Sequence, residues 1–135
     1  MGVVLGKNEQ YEEAEKVLKQ VIKLQPDFVE ALNNLGSILT CMEKYEESKA
    51  ILNRSIEIHP SNAEALSNLG DIYRKLDEHE HAVDHYERAI QIKPNYYEAL
   101  NGMGLALTEL KKYGEAKDIL KQAIKINPKF AEAYN

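Results

Sequence analysis

Three of the four histidines lie within seven residues, and two of them have a spacing that can bind a metal. His81 and His85 are four residues apart, so a helix would place both on one face, as in zinc and nickel sites. Two ligands do not complete a metal site, and no glutamate follows His81 as the helix of a metalloprotease requires. We therefore expect no metal and no other cofactor. His81 and His85 are the pair to examine, and His79 is expected to fill a turn.

Repeated asparagines form the second set of residues that could bind a ligand. Four of them lie in segments predicted below to be helical: Asn33, Asn34, Asn68 and Asn101. Asparagine is uncommon inside helices because its side chain competes with the backbone for hydrogen bonds. An amide both donates and accepts, so a column of amides can pair with the backbone of an extended peptide, each bond contributing about 1 kcal/mol net. The alternative is that these amides only solvate a helix face or bond to a neighbouring turn.

The sequence has none of the residue patterns that are typical of an enzyme. It contains no glycine-rich phosphate loop, no nucleophile with a partnered histidine and no isolated carboxylate pair. The single cysteine, Cys41, is expected near a helix end, where a small packed side chain is more common than a reactive thiol. We therefore expect that this segment is not an enzyme.

Composition excludes several classes of partner. The chain has 135 residues, of which 44% are hydrophobic, and a net charge of -5. An acidic chain is a poor ligand for nucleic acid, whose binding is dominated by lysine and arginine. No apolar run approaches the roughly 18 residues that cross a bilayer, and a single cysteine cannot form an internal disulfide. These features predict a cytoplasmic protein with neither membrane nor nucleic acid as partner.

The chain is built on a period that its prolines mark. Pro26, Pro60, Pro94 and Pro128 are each 34 residues apart, which is typical of a repeat architecture. Counting each repeat from the third residue after a proline gives one array over residues 1–135. Residues 1–28 are predicted to be a partial repeat that lacks the start of its first helix. Residues 29–62, 63–96 and 97–130 are three complete repeats, and residues 131–135 are the start of another.

Apolar residues follow helical spacing twice in each period, which predicts a first and a second helix in every repeat. The polar break between them, for example Asp77 and Glu78, predicts a turn. The second helix is expected to end at the proline, which disfavours helical geometry in the residue before it. Four side chains after the prolines could cap the next first helix: Asp27, Ser61, Asn62 and Asn95.

Glycine recurs at the eighth position of the repeat, at Gly36, Gly70 and Gly104. Glycine costs about 1 kcal/mol relative to alanine inside a helix, so the column needs a packing reason. Without a β-carbon, the first helix can lie close to the second helix, where residues such as Leu52 and Tyr86 fill the adjoining space. The repeat is therefore expected to be a closely packed helical hairpin.

These columns resemble the tetratricopeptide repeat over the whole chain. Leucine or methionine precedes the glycine, small residues stand at positions twenty and twenty-seven, and proline stands at thirty-two, although leucine or tyrosine replaces the usual tryptophan at position four. The resemblance implies an all-α, right-handed superhelix, or α-solenoid, of antiparallel hairpins, whose first helices line a concave groove. The implied groove residues include Asn33, Asn34, Ser37, Glu64, Asn68, Asp71, Arg74 and Asn101.

A protein or an extended peptide is the partner that this resemblance implies, bound along the groove by a protein–protein interaction scaffold. The sixth position resembles the asparagine ladder of O-linked N-acetylglucosamine transferases at Asn34 and Asn68, whereas Gly102 interrupts it. The alternative function is therefore a substrate-docking segment of a larger enzyme such as a glycosyltransferase. Residues 131–135 and the start of the chain could together complete a first helix, so head-to-tail self-association is a further expectation.

Overall fold

The computed structural model describes residues 7–128. Over this range the chain forms seven α-helices joined by short turns. Their bounds are α1 (Lys7–Leu24), α2 (Val29–Cys41), α3 (Tyr45–Ile58), α4 (Ala63–Lys75), α5 (His79–Ile92), α6 (Tyr97–Glu109) and α7 (Tyr113–Ile126). The chain divides into two compact units, with α1–α3 in unit 1 (Met1–Pro60) and α4–α7 in unit 2 (Ser61–Asn135). The expected all-α fold is confirmed, with α2–α3, α4–α5 and α6–α7 as paired helices. In contrast, α1 is unbroken at residues 9 and 10, where the repeat predicts a turn.

The first helices α2, α4 and α6 end in the same backbone arrangement. Glu43, Asp77 and Lys111 have positive φ angles of 62°, 61° and 64°. In the first of these turns Lys44 N–H donates to Leu39 C=O at 2.8 Å and Glu43 N–H donates to Thr40 C=O at 3.0 Å. This is the Schellman pattern that satisfies the last carbonyl groups of a helix. The polar breaks are therefore tight turns, built without the glycine that usually occupies the left-handed position.

The predicted side-chain caps are confirmed at one helix only. Asn62 Oδ1 accepts from Ala65 N–H at 3.0 Å at the start of α4. Helices α2 and α6 instead begin after Phe28 and Tyr96, neither of which makes a side-chain cap. Asp27 and Asn95 are therefore not the capping residues, because the residue after each of them occupies the cap position.

Unit 1 is held together by apolar packing and by a buried hydroxyl pair. Its core combines residues of α1 and α2: Ile22, Ala31, Leu32, Leu35 and Leu39. A β-carbon on Gly36 would lie 2.4 Å from Leu52 Cδ2, so the glycine makes room for a side chain of α3. The Ser48 hydroxyl donates to Gly36 C=O at 2.7 Å and lies 2.9 Å from the Thr40 hydroxyl. The predicted close contact between first and second helices is thus present.

Unit 2 repeats this packing with a larger side chain. A β-carbon on Gly104 would lie 2.5 Å from Leu120 Cδ2, which matches the arrangement at Gly36. A β-carbon on Gly70 would instead lie 2.7 Å from Tyr86 Cε1. Tyr86 is fully buried, on α5, and α5 packs against both α4 and α6. The glycine column therefore accepts the residue at position twenty-four of the second helix, whether leucine or tyrosine.

The remaining expectations concern membrane-spanning helices and self-association through the chain ends. Among the described residues, no helix is long and apolar enough to cross a membrane. The predicted head-to-tail association concerns residues 1–6 and 131–135, which lie outside the described residues.

Candidate functional site

The first helices of unit 2, α4 and α6, pack side by side and carry most of the predicted groove residues. We call this set the first-helix face of unit 2, and it comprises Glu64, Asn68, Asp71, Arg74, Glu98 and Asn101. The two glutamates are exposed and the other four residues are half-buried. Residues three or four apart share one side of a helix, which places the members of each helix together.

A tyrosine of the second helix fixes two members of this face. The Tyr86 hydroxyl donates to Asp71 Oδ1, and Arg74 Nε donates to the same hydroxyl at 3.3 Å. Arg74 Nη2 also lies 3.7 Å from Asp71 Oδ1, which completes a closed set of three polar groups. Because the Tyr86 ring is fully buried, it positions the carboxylate and the guanidinium from within the hairpin.

Desolvation is the main electrostatic effect in this cluster. Burial raises the pKa of Asp71 above its ordinary value, although the Tyr86 hydrogen bond and the Arg74 charge oppose the shift. Burial and the neighbouring Asp71 carboxylate also raise the pKa of Tyr86. The hydroxyl of Tyr86 therefore remains a hydrogen-bond donor at physiological pH.

Tyr96 joins the same face from the start of α6. Burial raises its pKa to about 12, and the negative charges of Glu98, Glu64 and Asp71 contribute to the shift. Its hydroxyl forms a hydrogen bond with Ser67, and Lys93 Nζ lies 4.9 Å from the centre of its ring. The predicted Glu64 and Asp71 therefore influence the electrostatics of Tyr96, which was not among the predicted groove residues.

In unit 1 the structure separates the two adjacent asparagines. Asn34 is exposed and Ser37 is half-buried on α2, as a groove position requires. Asn33 is 4% exposed, and its Oδ1 accepts from the Ser55 hydroxyl of α3 at 2.7 Å. The expectation that Asn33 lines the groove is therefore corrected, because its amide bonds into the hairpin to Ser55 of α3. Asn101, at the same position of the third complete repeat, is half-buried and stays on the first-helix face.

The interruption of the asparagine column at Gly102 has a steric cause. A β-carbon at Gly102 would lie 2.4 Å from Tyr86 Cζ and 2.6 Å from its hydroxyl oxygen. The neighbouring Asn101 is half-buried and makes further contacts of its own. Glycine at position six therefore accompanies tyrosine at position twenty-four of the preceding repeat. The sequence carried this signal as two departures from the repeat pattern, at Tyr86 and Gly102, which only the structure connects.

The histidines form an aromatic cluster with Tyr73. The Tyr73 ring centre lies 5.5 Å from that of His81 and 4.8 Å from that of His85, and His85 Nδ1 lies 2.8 Å from the His81 carbonyl oxygen. Within residues 7–128, no three histidine, cysteine, aspartate or glutamate side chains are grouped so as to hold a metal. His79 is largely buried beside the turn, as expected for a residue that replaces tyrosine there.

Comparisons with known proteins agree with this architecture. Models of the tetratricopeptide repeat match residues 27–95 and 76–135, and a further TPR repeat model matches residues 4–40. No curated protein sequence matches the chain.

Several solved structures have a similar fold. A crystal structure of MamA is 25% identical with a TM-score of 0.79, over 99% of this chain and 81% of that chain. A second crystal structure of the MamA protein is 30% identical with a TM-score of 0.75, over 90% and 67%. MamA from Desulfovibrio magneticus RS-1, at 19% identity and a TM-score of 0.76 over 89% and 68%, shows the fold alone. The chain therefore belongs to the tetratricopeptide repeat family and is an all-α repeat solenoid of the kind that serves as a scaffold for protein–protein interaction.

Proposed function

We propose that this protein is a non-enzymatic scaffold that binds an extended peptide segment of a partner protein on its first helices. In unit 2 the binding surface is the first-helix face of α4 and α6. In unit 1 the corresponding groups are the exposed Asn34 and the half-buried Ser37. These side chains offer both donors and acceptors, which suits the alternating N–H and C=O groups of an extended backbone.

The observation that carries this proposal is the polar set of Tyr86, Asp71 and Arg74. An exposed ion pair between flexible side chains contributes little, because holding both in one geometry costs conformational entropy. Here the buried Tyr86 hydroxyl bonds to both partners and has already restricted them. A surface restricted before binding loses less entropy when a ligand arrives, and a docking site benefits from this.

Charge adds a preference to the proposed site. The negative charges of Glu64, Asp71 and Glu98 all act on Tyr96 and raise its pKa. Arg74 is the cation of the first-helix face and lies beside Asp71. The acidic excess favours peptides with basic residues near α4 and the start of α6, through faster association and better alignment.

Affinity measurements on matched variants test the proposal. A peptide is selected against the protein from a random linear library, and its dissociation constant is measured by fluorescence polarisation. Asn68→Ala is expected to weaken it about fivefold, since one hydrogen bond contributes about 1 kcal/mol net. Gln91→Ala, an exposed change on α5, is the control and should have no effect. Equal affinity of the Asn68→Ala and wild-type proteins would reject this use of the face.

A second candidate is the docking segment of a larger enzyme, such as a glycosyltransferase. The exposed Asn34 and half-buried Asn68 favour it, since asparagine at position six resembles the asparagine ladder of those transferases. The sequence of the gene around this segment tests this candidate. An adjoining catalytic domain would support it, and an array bounded by other domains would reject it.

A further inference from the structure

Unit 2 contains a cavity on the side of its second helices, away from the first-helix face. It has a volume of about 460 Å³ and lies between α5 and α7, both of which pack against α6. Its apolar lining includes Val83 from α5, Leu107 from α6 and Ile119 from α7. This volume is within the range of sites that bind a ligand or an anchoring side chain.

The rim of this cavity is acidic. Glu87, Glu115 and Asp118 lie at its edge, with Lys112 as the single cation, and all four side chains are exposed. Within residues 7–128 neither Glu87 nor Glu115 takes part in an ion pair. An acidic rim over an apolar floor is the chemical complement of a basic side chain with a long aliphatic stem.

Unit 1 shows how the same place in the repeat is filled when a lysine is available. Two repeats before Val83 and Glu87 stand Glu15 and Lys19 on α1. Lys19 Nζ lies 2.7 Å from Glu15 Oε2 and 3.0 Å from Glu47 Oε1, so it bridges α1 to α3. Lys44 Nζ adds a third contact, 3.1 Å from Glu15 Oε1. Glu15 is 8% exposed, so the network includes a buried carboxylate.

Two substitutions within the repeat remove that network from unit 2. Valine at position 83 lacks the buried carboxylate, and glutamate at position 87 reverses the charge that Lys19 carries in unit 1. Glu115, the counterpart of Glu47, therefore lacks the cation that Lys19 supplies in unit 1. In unit 1, Lys19 places a positive charge at this point of the repeat. In unit 2 the equivalent residue is Glu87, so the cavity can accept a positive charge from another molecule.

We propose that this cavity binds a lysine or arginine side chain of a partner protein. The aliphatic stem packs on Val83, Leu107 and Ile119, and the charged head lies between Glu87 and Glu115. The docking surface is separate from the first-helix face, so the scaffold can hold a second segment without displacing a peptide from α4 and α6. This proposal stands whether or not the first-helix face binds a peptide.

Nuclear magnetic resonance titrations with defined peptides test the proposal. The probe is a short peptide of alternating leucine and lysine, and the matched control replaces each lysine with glutamate. The lysine peptide is expected to shift the amide signals of Val83, Leu107 and Ile119, and to bind at least about tenfold more tightly than the control. Equal binding of both peptides, absence of binding, or shifts restricted to α4 would overturn the proposal.

A transfer of the unit 1 network provides the matched variant. Val83→Glu combined with Glu87→Lys places in unit 2 the two residues that close the site in unit 1, and it is expected to abolish lysine-peptide binding while the helical circular dichroism is retained. Glu87→Gln with Glu115→Gln changes only exposed side chains and is expected to weaken lysine-peptide binding about tenfold. This second variant tests the proposal even if Val83→Glu with Glu87→Lys does not fold. Unchanged affinity in the glutamine variant would overturn the proposal. Asn68→Ala should leave this binding unchanged, which separates it from peptide binding on the first-helix face.

Discussion

The ring of Tyr86 occupies the space that a β-carbon of residue 102 would need, because its Cζ lies 2.4 Å from that position. The departures from the repeat at Tyr86 and Gly102 therefore have a single structural cause. Tyrosine replaces leucine on α5, and glycine replaces asparagine on α6, so that the phenol can reach Asp71 and Arg74. The asparagine column is interrupted because a hydroxyl from the second helix takes its place.

Restoring the asparagine should therefore destabilise the protein. Gly102→Asn is expected to lower the free energy of unfolding by about 1–3 kcal/mol, since the new side chain overlaps a fully buried ring. Urea denaturation followed by circular dichroism measures this change. Combining it with Tyr86→Leu should reduce the cost, because Asn68 already stands at position six after Leu52 at position twenty-four of the preceding repeat. Additive effects of the two substitutions would contradict the assigned contact.

Gly114 lies outside the contacts between helices, so a side chain there is expected to stabilise the protein. Gly114, in the first turn of α7, has no atom within 4 Å of the place where a β-carbon would lie. Gly114→Ala should therefore raise the free energy of unfolding by up to about 1 kcal/mol, through helix propensity and the entropy of the unfolded chain. A loss of stability in the same urea experiment would contradict the open surroundings of this residue.

The bond between Asn33 and Ser55 should matter for folding and not for binding. Ser55→Ala leaves a buried amide without its hydroxyl partner, so a loss of about 1–3 kcal/mol in the free energy of unfolding is expected. The affinity for a peptide selected on the first helices should be unchanged in the folded variant. A marked loss of affinity without a loss of stability would instead place Asn33 in the groove.

Asp71 should make the protein less stable as the pH rises. Burial raises its pKa in the folded state above 3.8, so the folded protein holds the proton more tightly than the unfolded chain does. Its contribution is present at low pH and is lost as the pH rises from 3.8 through the folded pKa. Asp71→Asn should remove this decline while keeping the Tyr86 bond. Unfolding curves between about pH 3 and pH 7 compare the two slopes, and parallel curves would contradict the shift.

Glu15 should show the opposite dependence. Hydrogen bonding to Lys19 lowers its pKa below the ordinary value of 4.5, so the unfolded chain binds the proton more tightly. Its contribution is present above pH 4.5 and is lost as the pH falls through the folded pKa. Glu15→Gln should flatten the acid side of the stability curve and cost at most about 1 kcal/mol at neutral pH, since water screens the half-exposed lysines. An unaltered acid transition would contradict the network.

The fold was predictable from the sequence because its determinants repeat. Prolines and glycines in phase set the period, and each hairpin places leucine against glycine, as Leu52 and Gly36 do. The left-handed turn residues such as Glu43 were not predictable as such, because no glycine marks them. Neighbouring hydrogen bonds of the Schellman pattern make the conformation acceptable for glutamate there.

The candidate site was predictable only for residues whose position in the repeat places them clearly on the groove side of the first helix. The tetratricopeptide resemblance implies Asp71 and Arg74 as groove residues, and the structure brings them together through Tyr86. Asn33 was misplaced because helical spacing at position five falls between the groove and the hairpin interior. Ser55, a neighbour from the other helix, decides that its amide is buried. Contacts between helices therefore carry the information that a single helical pattern omits.

The location of a bound peptide on unit 2 tests directly whether the first helices form the binding surface. A peptide selected from a random library is given a spin label, and relaxation of the protein's amide signals is recorded in the complex. Binding to the first helices predicts the strongest relaxation at Asn68, Asp71 and Asn101, with little effect on α7. Strong relaxation confined to α5 and α7, with the signals of α4 and α6 unchanged, would contradict the account.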